Sequence, residues 1–269
     1  MIYDFRVVEA VKSMGIQIDT PYDVAGVLEL HGIDLKTVDD MIFSHWHFDH
    51  FGDPTRFPTG TNIIVGPGYP TNPESMIPEE AFKDRRLTEA DFSNTSFRIA
   101  DLQAIDWFGD GTFYLLNTPG HAIGHLSPLA RTTASSQGTD STFILLAGDV
   151  CHHAGELRPS HLQPLPTDMP TNDIHQYKAQ SEYCKVHPHQ CLNRPFYCPS
   201  AGGFNLDAEM MKRTVEKVAA LDADPNVFVV LAHDNWLLDV VDLFPKAAND
   251  WKAKDWKEKS KWRFLLDFE

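Results

Sequence analysis

The apolar positions of this chain fall in short runs, and most of those runs predict strands. Met41-Ile42-Phe43, Asn62 to Val65, Phe97 to Ala100, Thr142 to Ala147 and Val227 to Leu231 are brief and apolar, with polar or turn-forming neighbours. Ala104 to Phe108 and Thr112 to Leu116 flank Gly109-Asp110-Gly111, which predicts a hairpin. Two stretches carry helical spacing instead. Thr20-Pro21 with Asp23 reads as a helix start: a cap, a proline at the first position and an acid in the first turn. Val24, Val27 and Leu28 then form one stripe, and Gly32 is a suitable stop. A second helix is expected over about Asp207 to Leu221, with Met210, Met211, Val215 and Val218 on its apolar face.

One arrangement recurs four times. A short apolar strand ends, and a metal-capable residue follows. Met41–Phe43 leads to His45, and Phe113–Leu116 leads through Asn117-Thr118-Pro119-Gly120 to His121. Phe143–Ala147 leads to Gly148-Asp149, and Val227–Ala232 leads to His233-Asp234. Strand ends that gather at one edge of a layered fold make a site on rigid supports.

The richest stretch is His45-Trp46-His47-Phe48-Asp49-His50. His45 and His47 are two apart, so in extended backbone they point the same way. Asp49 and His50 must point elsewhere, so one short loop could serve two adjacent ions. Nitrogen and carboxylate donors without thiolate suit Zn²⁺, or else Fe or Mn. Trp46 and Phe48 alternate with these donors and read as core packing beneath them. His152 and His153 follow Asp149 closely, and either pocket lining or plain surface hydrogen bonding fits them. His161, His175, His187 and His189 read as solvated.

Residues 151 to 205 hold seven prolines, six histidines and little periodicity. The stretch is too long for a simple connector. It reads either as an ordered surface excursion or as a pocket wall beside the metals. From Pro245 to Glu269, Trp251, Trp256 and Trp262 stand among many lysines. A partner-binding basic helix is one reading; a solvated face whose tryptophans dock on the body is the better one.

Bulk properties narrow the class. The 269 residues suffice for one large domain, expected to span 1–269, and the composition is that of a soluble globular protein. A net charge of −15 argues against nucleic acid and anionic membrane surfaces as partners, because both need a basic face. No apolar run approaches the roughly 18 residues of a membrane span, and no leader peptide is recognised, so a cytoplasmic location is expected. The four cysteines are not a disulfide framework. Cys184, Cys191 and Cys198 recur every seven residues, but the intervening prolines and histidines break any heptad helix, so they read as incidental thiols.

His45-x-His47-x-Asp49-His50, Thr118-Pro119-Gly120-His121, Gly148-Asp149 and His233, in that order, resemble the signature of the metallo-β-lactamase-fold hydrolases. The match extends from about Thr20 to the end of the chain. Asp49 followed by His50 looks like the lactonase and glyoxalase II branch. Ala232-His233-Asp234 and the Trp-Lys-x-Lys-x-Trp tail look most like the acyl-homoserine-lactone-lactonase-like, fungal-type members. The resemblance implies an α/β fold, a four-layer αβ/βα sandwich. It implies two metal ions, expected to be Zn²⁺. The first would be held by His45, His47 and His121, and the second by Asp49, His50 and His233. Asp149 would bridge them, and His125 would orient a ligand from behind. Family members normally begin with two or more strands, whereas only 44 residues precede His45. Met1 to Arg6 supply one strand at most, so part of the N-terminal sheet is expected to be missing.

The expected chemistry is attack of a metal-bridging hydroxide on a carbonyl carbon, with Asp49 as general base and acid. A lactonase acting on a small cyclic ester is the leading reading. Thioester, lactam or cyclic carbamate hydrolysis uses the same attack, and the pocket sets the choice. The residues expected of a glutathione thioester pocket are not apparent. A mononuclear iron oxidoreductase and an inactive truncated isoform are the readings from other classes.

Overall fold

The computed structural model describes residues 9, 11–13, 15, 21–69, 76–136, 138–169, 177–190 and 192–268. The strand expected within Met1 to Arg6, the cap expected at Thr20, His175 and Cys191 lie outside them. The chain divides into two compact units, Met1–Asn94 with Ala122–Leu126 and Thr95–His121 with Ser127–Glu269.

The first unit is built on a parallel sheet of three strands: β1 (Asp40–Ile42), β2 (Asn62–Val65) and β3 (Leu87–Glu89), in that order. All four residues of β2 are buried, which explains why it reads as a continuous apolar run. Phe43, Trp46, Phe48, Phe51, Ile63, Val65 and Tyr69 pack into one core cluster. Trp46 and Phe48 therefore sit beneath the donor loop as core residues. Helix α1 (Val24–Leu30) starts later than expected, because Asp23 is its cap and not a member of its first turn. The Asp23 Oδ1 accepts the Gly26 N–H at 2.7 Å.

The second unit carries a six-stranded sheet in sequence order: β4 (Arg98–Ile99), β5 (Leu102–Asp106), β6 (Phe113–Asn117), β7 (Leu126–Thr133), β8 (Thr142–Gly148) and β9 (Val227–Leu231). The hairpin of β5 and β6 forms as expected, with Asp106 accepting the N–H groups of Gly109 and Gly111. β3 and β7 are not among the expected strands: β3 is three residues long, and β7 has a proline and three hydroxyl residues in its run. β8 and β9 are parallel. Parallel neighbours need a crossover, and helices α2 (Gln180–Val186) and α3 (Ala208–Ala223) lie in the connection. Asp207 caps α3, its Oδ1 accepting from Met210 N at 2.9 Å. The tail docks as expected. Trp251, Trp256 and Trp262 are all buried, and Trp256 opens helix α4 (Trp256–Ser260). The Trp251 indole N–H donates to Thr132 Oγ1 at 3.0 Å.

Candidate metal centre

In the second unit the site follows from strand direction. Because β8 and β9 run parallel with Leu146 opposite Val230 and Gly148 opposite Leu231, both leave the sheet at the same edge. Asp149 and His233 are the residues next reached, and His233 Nε2 stands 3.3 Å from Asp149 Oδ2. The exit of β6 is tied to the same edge by hydroxyls. Thr118 Oγ1 meets Ser127 Oγ at 2.9 Å, and that hydroxyl donates to Ala147 O at 3.1 Å. His121 then brings its Nε2 to 3.4 Å from Asp149 Oδ2. Gly120 permits the path: a Cβ there would lie 2.3 Å from Met211 N, so α3 can pack on the loop only if this residue is glycine. Gly120 O and His121 O in turn accept the N–H groups of Asp207 and Leu206 at the start of α3.

A third imidazole joins them. His152 Nε2 is 3.3 Å from the same Asp149 oxygen, and its ring lies 4.8 Å from that of His121 and 5.7 Å from that of His233. Asp149 and His121 are buried, while His152 and His233 are partly open.

The protonation of His121 can be assigned from its neighbours. Asn205 Nδ2 donates to Ser200 O at 3.0 Å, which turns its Oδ1 toward His121 Nδ1, also 3.0 Å away. An amide oxygen only accepts, so Nδ1 carries the proton. In the neutral ring Nε2 then presents a lone pair to a carboxylate oxygen. Two electron-rich atoms so placed call for a cation. An imidazole nitrogen and a carboxylate oxygen on one tetrahedral Zn²⁺ would stand roughly 3.3–3.5 Å apart, which matches the observed spacings. The donor set fits a metal ion.

In the first unit, β1 runs into the loop that holds the remaining expected ligands. Phe43 N donates to Ile64 O and Leu126 N to Ser44 O, which fix the start of the loop. His45 and His47 are both buried, with His45 Nε2 3.0 Å from His47 Nδ1. The ring of His50 lies 4.2 Å from that of His45, and His50 Nε2 is 3.4 Å from Asp49 Oδ2. Asp49 is the most open of the four. His125 is fully buried with its ring 5.2 Å from that of His45, within reach of an orienting role. The structure thus gathers His45, His47, Asp49, His50 and His125 in one unit, and His121, Asp149 and His233 in the other.

A family model described as the metallo-beta-lactamase superfamily matches residues 14–131. The γ-lactamase MBL2 of Gibberella moniliformis is 41% identical over 224 residues, covering 78% of this chain and 92% of that protein. The chain belongs to the metallo-beta-lactamase superfamily. The γ-lactamase FDB1 of Fusarium pseudograminearum is 44% identical over 274 residues, which are 97% of this chain. The chain spans 65% of that relative's length. Among solved structures, AiiA of B. thuringiensis with N-decanoyl-L-homoserine at its active site superposes with a TM-score of 0.52 at 16% identity. That match covers 83% of this chain and 67% of AiiA, and it shows the shared fold.

Within this metallo-beta-lactamase fold, two residues were missed or left open by the sequence. Asn205 lies 84 positions from the histidine it orients, and no local pattern announces it. For His152 the sequence leaves pocket lining and surface equally open, and its position three residues after Asp149 is the available signal. His153 bonds to Asp267 at 2.9 Å, with its Nδ1 accepting the Gly155 N–H. His187 departs from the solvated reading: it is buried against Phe196, and its Nε2 donates to Arg194 O at 2.8 Å. Behind the site, burial pushes the carboxyls of Glu156 and Asp234 up and raises the Cys151 thiol well above its ordinary value. Among the described residues, no helix is long and apolar enough to cross a membrane.

Proposed function

We propose that this protein is a binuclear metallohydrolase that opens a small cyclic acyl compound by attack on its carbonyl. The observation that carries the reading is the convergence of three imidazole nitrogens on one buried Asp149 oxygen at 3.3–3.4 Å. In this reading His45, His47 and His121 hold one metal, Asp49, His50 and His233 the other, and Asp149 serves both. Zn²⁺ suits the donors best. When bound, such a pair supplies Lewis acidity and acidifies water toward neutral pH.

The chain's own groups account for the rest. Asn205 fixes the His121 ring so that its Nε2 stays free of a proton. Asp49, the open carboxylate of the loop, accepts the proton of the attacking water and returns it to the leaving atom. Buried Trp46 and Phe48 hold the loop from beneath, so the donors stay aligned without substrate. His125 packs behind His45 and restricts its ring.

A lactone is one substrate class, favoured by the resemblance to lactonases. A γ-lactam is favoured by two relatives, at 44% and 41% identity, that bear the name γ-lactamase. The two share the attack and differ in the leaving atom, an alkoxide oxygen or an amine nitrogen. Metal analysis of the purified protein, run beside a panel of γ-lactones, γ-lactams and thioesters, tests the proposal. Two metal equivalents and turnover of a cyclic ester or amide are expected. Fewer than two metals defeats the binuclear site, and turnover confined to thioesters defeats the cyclic substrate.

A further inference from the structure

In the first unit a cavity of about 660 Å³ opens over Asp49 and His50. Its far wall is the start of α1, where Tyr22 and Val24 are 58% and 66% exposed. Leu28, Met41, Phe51 and Phe57 complete an apolar lining. Large apolar side chains left open to water around a concave space mark a binding surface.

The walls are held by two arginines. Arg56, on the turn after the metal-capable loop, pairs with Asp23 through Nη1 and with Glu29 through Nη2, bridging one end of α1 to the other. Gly26 leaves room for this clamp: a Cβ there would stand 3.2 Å from Asp23 Oδ1 and 3.3 Å from Arg56 Nη1. Arg85 fixes the turn itself, donating to Pro54 O at 2.8 Å, Phe57 O at 2.6 Å and Pro58 O at 2.5 Å. These carbonyl and carboxylate partners set the width of the cavity before any ligand arrives.

The charges around the cavity limit what enters. Asp23, Asp40, Asp49 and Asp53 line it, and its one guanidinium, Arg56, is already engaged by two carboxylates. Away from the proposed metal, an anionic substituent would face these carboxylates and lose hydration on entry. An uncharged apolar substituent gains by burial against Tyr22, Val24 and Leu28.

We infer that this cavity receives an uncharged apolar substituent of the cyclic substrate, with Val24 and Leu28 as specificity residues and Arg56 as the residue that positions them. This rests on the proposed hydrolase reading and narrows its substrate class. No bond changes in the cavity; it contributes binding next to the groups that act on the ring.

The test compares kcat/KM for an alkyl-bearing γ-lactone or γ-lactam with kcat/KM for the unsubstituted ring. Val24→Asp, at an exposed position that does not burden folding, is expected to lower that ratio about tenfold or more. Arg56→Gln is expected to lower it as well, with Arg56→Lys restoring part of it. Leu30→Asp, on the same helix but outside the cavity, should leave the ratio alone. In parallel, the uncharged fluorescent probe N-phenyl-1-naphthylamine is titrated into each protein without substrate. Weaker probe binding to Val24→Asp than to Leu30→Asp supports the cavity. An unchanged ratio together with unchanged probe binding overturns it. If wild type opens no ring at all, the hydrolase reading fails, while the probe titration still decides whether the cavity binds apolar ligands.

Discussion

The smallest decisive feature is the proton on His121. Asn205 determines where it sits, and through it whether Nε2 can serve a metal. Removing that amide by Asn205→Ala should weaken metal affinity about 10–100-fold. Metal titration against a competing chelator measures it; affinity equal to wild type would show that His121 needs no support. Asp49 makes a different prediction. If it moves the proton, Asp49→Asn should reduce kcat by about 10²–10⁴-fold. Full turnover with two metals retained would refute the role. The loop donors were legible because six adjacent residues carry them and because the chemistry of imidazole and carboxylate is local. Asn205 was not legible, since its significance depends on a contact 84 positions away. His187 failed the same way in reverse: a histidine in a proline-rich stretch reads as solvated, but Phe196 and Arg194 O enclose it.

At the scale of elements, strand exits carry the site. β2 and β9 fall at the positions their apolar runs predict, because strands buried on both faces need uninterrupted apolar residues. β3 is hidden by its brevity and β7 by the proline and hydroxyl residues that interrupt its apolar run, so pairing partners rather than composition decide both. The crossover between β8 and β9 is what makes their ends neighbours, so α3 is part of the site although it contributes no donor. Gly120 is the joint of this arrangement. Gly120→Ala would drive a Cβ into Met211 N at a φ of +130°, so about 2–4 kcal/mol of destabilisation is expected. Denaturant unfolding reads it, and metal content should fall with it as the loop to His121 shifts. A stability within error of wild type would mean that α3 yields easily and does not brace the loop.

For the whole molecule, stability is tied to a buried lysine far from the proposed chemistry. Lys257 Nζ donates to Asp224 O at 2.5 Å and Val227 O at 2.7 Å, and burial lowers its pKa to about 8. The unfolded chain holds that proton up to the ordinary lysine range near 10.4. Between these values the unfolded state binds more protons, so folding stability rises with pH across that window. Relative to Lys257→Met, wild type should gain about 2 kcal/mol between pH 7.5 and 9.5, measured by denaturant unfolding. Parallel pH profiles for the two proteins would contradict the lowered pKa. The buried Arg158–Asp222 pair, joined at 2.6 and 2.8 Å, holds α3 to the same region. There, burial raises the Asp222 carboxyl, but the Arg158 charge and hydrogen bonds more than offset it and hold the group below its usual range. By itself the sequence determined the candidate donor residues, most of the strands that lead to them and the family resemblance, because each is a short-range pattern of residue chemistry and period. Only the tertiary structure decided that three imidazoles meet on one Asp149 oxygen, that Asn205 sets a proton, and that α1 walls a cavity. Those facts depend on which distant segments share a register or an edge, and no local pattern encodes that.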